Sequence, residues 1–183
     1  MGAAGGAIRA RHRRRVEIQT EAPYFGIWNL KRWSAPPLKV MPSETHLIAV
    51  FLENKPGQAA LISEILAGAG INLYWLTTVN NGTFGVMKFL ADKGDQAVQA
   101  LKRQGLMVSL LPVLAVQTDN RPGALLRVTT SLRTQNINLD NCSGFVAGDH
   151  AILLVEVPNI DQARATLEGQ GFRILSQEEV LRL

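Results

Sequence analysis

From residue 46 onward, short continuous apolar runs alternate with stretches in which apolar side chains recur every three or four positions. Residues 47–52 are an apolar run rich in β-forming side chains and bounded by a turn signal, which predicts a strand. Leu61, Ile62, Ile65, Leu66 and Ala69 then fall at helical spacing, and Gly68 and Gly70 end that helix. Strands are predicted at 71–79 and 84–91, joined at a hairpin turn, Asn80-Asn81-Gly82. A short helix through Ala97, Val98 and Leu101 follows, stopped by Gly105, and residues 106–111 read as a closing strand. The same order then returns. Strands are predicted at 113–118, 137–146, 150–157 and 172–176, with helices through Leu125, Val128 and Leu132 and through Ala163 and Leu167. Ala147-Gly148-Asp149 reads as the second hairpin turn and Gly171 as the second stop.

The two passes are one pattern displaced by 66 positions without a gap. Glu53-Asn54-Lys55-Pro56-Gly57 falls on Asp119-Asn120-Arg121-Pro122-Gly123, and Ile71-Asn72-Leu73 falls on Ile137-Asn138-Leu139. Gly82 falls on Gly148, Asp95-Gln96-Ala97 on Asp161-Gln162-Ala163, and Gln104-Gly105 on Gln170-Gly171. Chance does not align so many turn residues at one offset, so the chain is an internal duplication. The order βαββαβ in each copy is the split-βαβ plan: an antiparallel sheet with both helices on one face. The fold class expected is therefore α+β, two tandem ferredoxin-like modules at 46–112 and 113–183, preceded by an extension at 1–45. A unit this small has a thin core and an uncovered sheet face, and is expected to pair with another copy. Pro112 stands between the copies with almost no linker, which implies a fixed relative orientation.

Charge changes the picture only for the extension. Residues 1–45 hold eight Lys/Arg and three Asp/Glu, a balance of +5, whereas 46–183 hold eleven and twelve, a balance of −1. The pI of about 9.6 thus belongs to the extension, with its block Arg9-Ala10-Arg11-His12-Arg13-Arg14-Arg15, and the repeat carries no basic surplus to suggest nucleic acid. No apolar h-region follows the block, so a secretory signal is not expected. The favoured readings of 1–45 are a disordered extension or a stretch upstream of a natural start at Met41. The competing ones are a nucleic-acid or membrane-surface arm and an organelle-targeting peptide. No apolar run reaches membrane-spanning length. The single cysteine, Cys142, excludes an internal disulfide and fits a reducing compartment, so a cytoplasmic location is expected.

Candidate chemistry sits at the start of the first helix of each copy. Asn54-Lys55-Pro56-Gly57 and Asn120-Arg121-Pro122-Gly123 each follow a strand and open a helix. Pro56 and Pro122 suit the first helical turn, where a missing N–H is harmless. A helix start presents unpaired N–H groups and partial positive charge, which suits a carboxylate. Glycine permits close approach, and asparagine offers an acceptor and two donors, enough to read a zwitterion. Taken alone, each turn reads better as a mere helix cap and turn; the repetition of the whole set in both copies weakens that reading, though duplication would preserve a cap too. Ile71-Asn72-Leu73 and Ile137-Asn138-Leu139, as strand starts, would supply carbonyls for an ammonium. Tyr74 and Trp75 divide evenly between lining a pocket or interface and packing on the sheet; copy two has Asp140 and Asn141 there, so the two sites would differ.

The sequence of an apolar strand, acidic-Asn-basic-Pro-Gly, a helix, Ile-Asn-Leu and a glycine hairpin resembles the ACT domain, over both copies from 46 to 183. The resemblance implies a regulatory module that binds small molecules, often amino acids, where the strand-to-helix loop of one copy faces a neighbouring copy. It points to Asn54, Lys55, Pro56, Gly57, Asn120, Arg121, Pro122 and Gly123, with Asn72, Leu73, Asn138 and Leu139 as second-strand contacts. The chain is also similar to stand-alone tandem-ACT proteins, which implies a homodimer.

No catalytic signature accompanies these turns. Histidines occur only at 12, 46 and 150, no His/Cys spacing suggests a metal, and no phosphate-binding loop is present. Serines 43, 63, 109, 131, 143 and 176 lack an identifiable base, and Glu178-Glu179 reads as a solvated C-terminal segment. The expectation is a non-enzymatic amino-acid sensor without cofactor, metal, membrane or nucleic-acid partner for its folded part. The alternative is a regulatory subunit or adaptor of a separate metabolic enzyme, without a ligand of its own.

Overall fold

The computed structural model of the chain describes residues 44–183, so the expectations for the extension lie outside the described residues except at Glu44 and Thr45. The first copy supplies β1 (Thr45–Glu53), α1 (Gln58–Gly68), β2 (Leu73–Asn81), β3 (Phe84–Ala91), α2 (Gly94–Arg103) and β4 (Met107–Asp119). The second continues with α3 (Ala124–Thr134), β5 (Asn141–Ala147), β6 (His150–Glu156), α4 (Ile160–Gly169), β7 (Arg173–Leu175) and α5 (Gln177–Leu181).

All strand pairs are antiparallel, in the order β2-β3-β1-β4-β6-β5, with β7 also on β4. Each half has the ferredoxin-like order, and the halves share β4. Met107–Val113 pairs with β1, while Leu114–Asp119 pairs with β6. The two strands expected on either side of Pro112 are thus one thirteen-residue strand. Pro112 lies opposite His46, just before the pairing with β6 begins. One edge of β4 has no partner strand among the described residues at that point, which tolerates a residue without an N–H.

Alternation along the strands builds three cores. Ile48, Val50, Met87 and Phe89 face α1 and α2, meeting Ile62, Leu66, Ala97 and Leu101. Leu114, Val116 and Val155 face α3 and α4, meeting Val128, Leu132, Ala163 and Leu167. The opposite faces form a core of their own: Leu47 and Leu90 of the first module cluster with Val113, Ala115, Ile152, Leu154 and Leu175. The sheet curls so that its helix-free faces cover one another, and the second copy supplies the partner that the first requires. Lys88 of β3 reaches Glu156 of β6 across this space, with Nζ 2.7 and 2.8 Å from the two carboxylate oxygens. Asn141 Nδ2 donates to the same carboxylate at 2.7 Å.

Three local expectations change. The helices begin at Gln58 and Ala124 with Gly57 and Gly123 as N-caps, so Pro56 and Pro122 lie outside them rather than in the first turn. Residues 137–139 do not open a strand: β5 starts only at Asn141, and Asp140 N–H bonds the Glu156 carbonyl just ahead of it. The acidic C-terminal segment is a helix, α5, closed by a capping box between Ser176 and Glu179, with Val180 buried in the inter-sheet core.

Candidate functional site

The two strand-to-helix turns fold alike. Asn54 N–H donates to the Thr83 carbonyl at 2.8 Å, tying the first turn to the β2–β3 hairpin, and Asn120 N–H does the same to Asp149 at 3.1 Å. Lys55 and Arg121 N–H close on the carbonyls of Glu53 and Asp119, each at 2.9 Å. Gly57 and Gly123 then take φ of 92° and 89°, a left-handed conformation in which any side chain is strained. The side chains differ. Asn54 commits a donor to the Gly82 carbonyl at 2.9 Å, whereas the Asn120 side chain makes no hydrogen bond among the described residues. Lys55 pairs with Glu53 in solvent.

All eight residues of these turns are exposed. Neither α1 nor α3 has a side-chain cap or an acidic residue in its first turn. In contrast, α4 is capped by Asn159 and α5 by Ser176, and α2 carries Asp95. The N–H groups that open α1 and α3 are therefore not neutralised by the protein's own side chains, as an incoming anion requires.

The second-strand residues stand apart from the turns. Asn72 and Leu73 follow the far end of α1, and an eleven-residue helix is about 16 Å long, so one copy does not bring both groups to one small ligand. Asn72 N–H donates to Asp92 Oδ1 at 3.0 Å, and Leu73 packs on the first core. Asn138 Nδ2 donates to Asp140 Oδ1 at 3.0 Å, and Leu139 packs on the third core. Trp75 packs against the inter-sheet core, while Tyr74 is exposed.

Two cavities were not foreseen in position. One, of about 340 Å³, lies at the carboxyl end of α3 and is lined by Thr129, Leu132, Arg133, Asn136, Ile137, Asn138 and Leu139. The other, of about 270 Å³, lies between β1, the start of α2 and α5, with Glu44, His46, Asp92, Asp95 and Glu178 in its wall. Asn138 and Leu139 are the only expected site residues lining either one. Arg133 and Asn136 have no copy-one counterpart of like chemistry, since Ala67 and Gly70 stand there, so the repeat did not mark them. Asn136 adopts φ of 53°, where glycine serves in copy one.

The profile of the ACT domain pair matches residues 44–183, the whole of this doubled unit. The chain belongs to the ACT domain pair family. Among solved structures, this ACT pair is similar to protein BT0572 from Bacteroides thetaiotaomicron, with a TM-score of 0.73 and 26% identity over 77% of this chain and 98% of that one. It also shares its fold with the ligand-free regulatory subunit of aspartate kinase from Thermus thermophilus, with a TM-score of 0.53 and 18% identity over 70% of this chain and 92% of that one. No curated protein matches the ACT pair.

Proposed function

We propose that this ACT pair is a sensor of a free amino acid and acts as a homodimer in the cytoplasm. The observation that carries the reading is the pair of helix starts, α1 and α3. Both are exposed, both are opened by a left-handed glycine, and neither has a side-chain cap or an acidic residue. A carboxylate supplies the negative charge that such N–H groups lack. Membership of the ACT family supports a regulatory role, and the single cysteine fits a reducing compartment.

The two expected residue groups lie at opposite ends of one helix, so a site that uses both draws on more than one copy. The two copies of one chain already meet through their helix-free sheet faces, so a homodimer supplies the facing copy. A ligand at such a seam regulates through its difference in affinity for the two arrangements of the copies. A melting screen of the full chain against the twenty amino acids tests this. Saturation at about 100 times Kd adds about 2.7 kcal/mol of apparent stability, a readily measured rise in Tm. No shift with any amino acid, supported by titration calorimetry, refutes the sensor. Elution of the chain as a monomer refutes the dimer.

A second reading, an adaptor that docks on a separate enzyme, is favoured by the edge strand β2, where Tyr74, Leu76 and Val79 are exposed. Exposed apolar side chains beside unpaired backbone suit strand addition by a partner.

A further inference from the structure

We propose that two chains pair through their second modules, with α3 antiparallel to its copy across a two-fold axis, so that Leu125 of each chain enters the cavity at the carboxyl end of the other's α3. The proposal rests on the homodimer reading above and gives it a surface.

One face of α3 carries both halves of this contact. Leu125, Thr129, Leu132 and Arg133 stand at steps of four, seven and eight positions, which sets them along one side of a helix. At the start of that side Leu125 is 51% exposed, with Leu126 beside it at 68%. At its end lies the cavity of about 340 Å³, whose apolar wall is Leu132, Ile137 and Leu139. An exposed apolar side chain and an open apolar cavity thus occupy opposite ends of one helix, about 16 Å long. A two-fold axis crossing α3 near Thr129 brings each to its counterpart, because an isologous contact pairs residue i with j and j with i. Thr129 suits the crossing. Its hydroxyl is turned back on the Leu125 and Leu126 carbonyls, at 3.0 and 3.2 Å, so close approach there leaves no donor unpaired.

The ends of the contact are complementary in charge. The same overlap carries Arg121, four positions before Leu125, past the cavity to the partner's Asp140, the residue after Leu139. Arg121 makes no ion pair among the described residues, whereas Lys55 at the matching position of copy one pairs with Glu53. Asp140 accepts from Asn138 Nδ2 at 3.0 Å, and a carboxylate has room for further donors. The two-fold axis makes this charge pair twice.

The first module has no such face. Ala59 and Ala60 stand where Leu125 and Leu126 do, and Ala67 where Arg133 does. Lys93 Nζ donates to the Gly70 carbonyl at 2.7 Å and so occupies the end of α1. The surface therefore joins second module to second module. It also sets the 120–123 turn of one chain beside Asn138 and Leu139 of the other. The two residue groups that one copy holds apart by the length of a helix then meet at one seam, where a bound amino acid draws the chains together.

Sedimentation velocity of the full chain over a range of concentrations tests this. L125R sets a cation against Arg133 in the cavity wall and is expected to raise the dimer dissociation constant about tenfold or more. A59R, its counterpart on the exposed start of α1, is expected to leave the dimer unchanged. R121D and D140R should each weaken the dimer, and R121D/D140R should regain most of the loss, a recovery that misfolding does not produce. A dimer that keeps the parental dissociation constant in both L125R and R121D overturns this surface while leaving the homodimer reading standing. A parent chain that stays monomeric at every concentration overturns both.

Discussion

Lys88 and Glu156 carry their charges where apolar side chains from both modules meet, and only 3% of the Lys88 side chain is exposed. Removing Lys88 leaves the Glu156 carboxylate with the Asn141 amide but no opposite charge, so K88M is expected to destabilise the chain by about 3–5 kcal/mol, and K88M/E156L, which also takes the acceptor from Asn141, to recover part of that loss. Urea denaturation of the three proteins measures both; equal stability of K88M and the parent refutes the role. Lysine inside the apolar run 84–91 is visible in the sequence, but its partner lies 68 positions away and no local spacing reveals it. Thr118 is the reverse case. Its hydroxyl is buried without a partner, at the position that Leu52 fills in copy one. T118V keeps the shape and removes the unsatisfied group, so a gain of about 1 kcal/mol is expected in the same measurement. Burial also raises the pKa of the Cys142 thiol, with the Glu156 carboxylate adding to the rise. Its thiolate fraction at neutral pH is therefore low, and slow alkylation relative to free cysteine is the expected readout.

The helix α5 shows how an element can be legible and still be overlooked. Ser176 accepts from Glu179 N–H while the Glu179 carboxylate accepts from Ser176 N–H at 2.8 Å. The Ser-x-x-Glu spacing of such a box is plain in the sequence, yet the adjacent acids suggest solvated chain because the burial of Val180 is a tertiary fact. S176A is expected to cost about 1 kcal/mol. The Ser176 backbone bond, then Arg173, hold the Glu179 pKa below the usual carboxylate value of 4.5. A lowered carboxyl pKa favours the folded state above the unfolded pKa, and that advantage fades as pH falls through the folded one. The difference in stability between parent and E179Q should therefore shrink on acidification; an unchanged difference contradicts the role of this carboxylate. At β5 the periodicity misleads in the other direction. The alternation from Ile137 to Val146 suits one long strand, but Asn136 in the left-handed region and the Asp140 N–H bond to Glu156 hold 137–139 off the ladder.

At the scale of the molecule, duplication and module topology follow from repeat spacing, because turn residues recur at the same offset. The continuity of β4 does not, because a proline at 112 ordinarily ends a strand and only the handover from β1 to β6 accommodates it. The candidate turns at 54–57 and 120–123 were likewise legible as turns, whereas the cavity at α3 is lined in part by Arg133 and Asn136, which differ between the copies and which a search for shared residues passes over. Sharing one strand makes the two modules interdependent. Cutting between Pro112 and Val113 leaves each half its ladders apart from the Thr45–Val113 pair but exposes Leu47 and Leu90 on one side, and Val113, Ala115, Ile152 and Leu154 on the other. It also removes the bonds by which β1 holds the C-terminus, from Thr45 Oγ1 to the Leu175 carbonyl and from His46 N–H to Gln177 Oε1. Domains of about 60–70 residues bury too little surface to absorb such losses. Chains 44–112 and 113–183 made separately should then lack a cooperative urea transition by circular dichroism, while 44–183 unfolds in one step. A half that unfolds cooperatively at its own midpoint would show that the inter-sheet core is an accessory contact between self-sufficient modules.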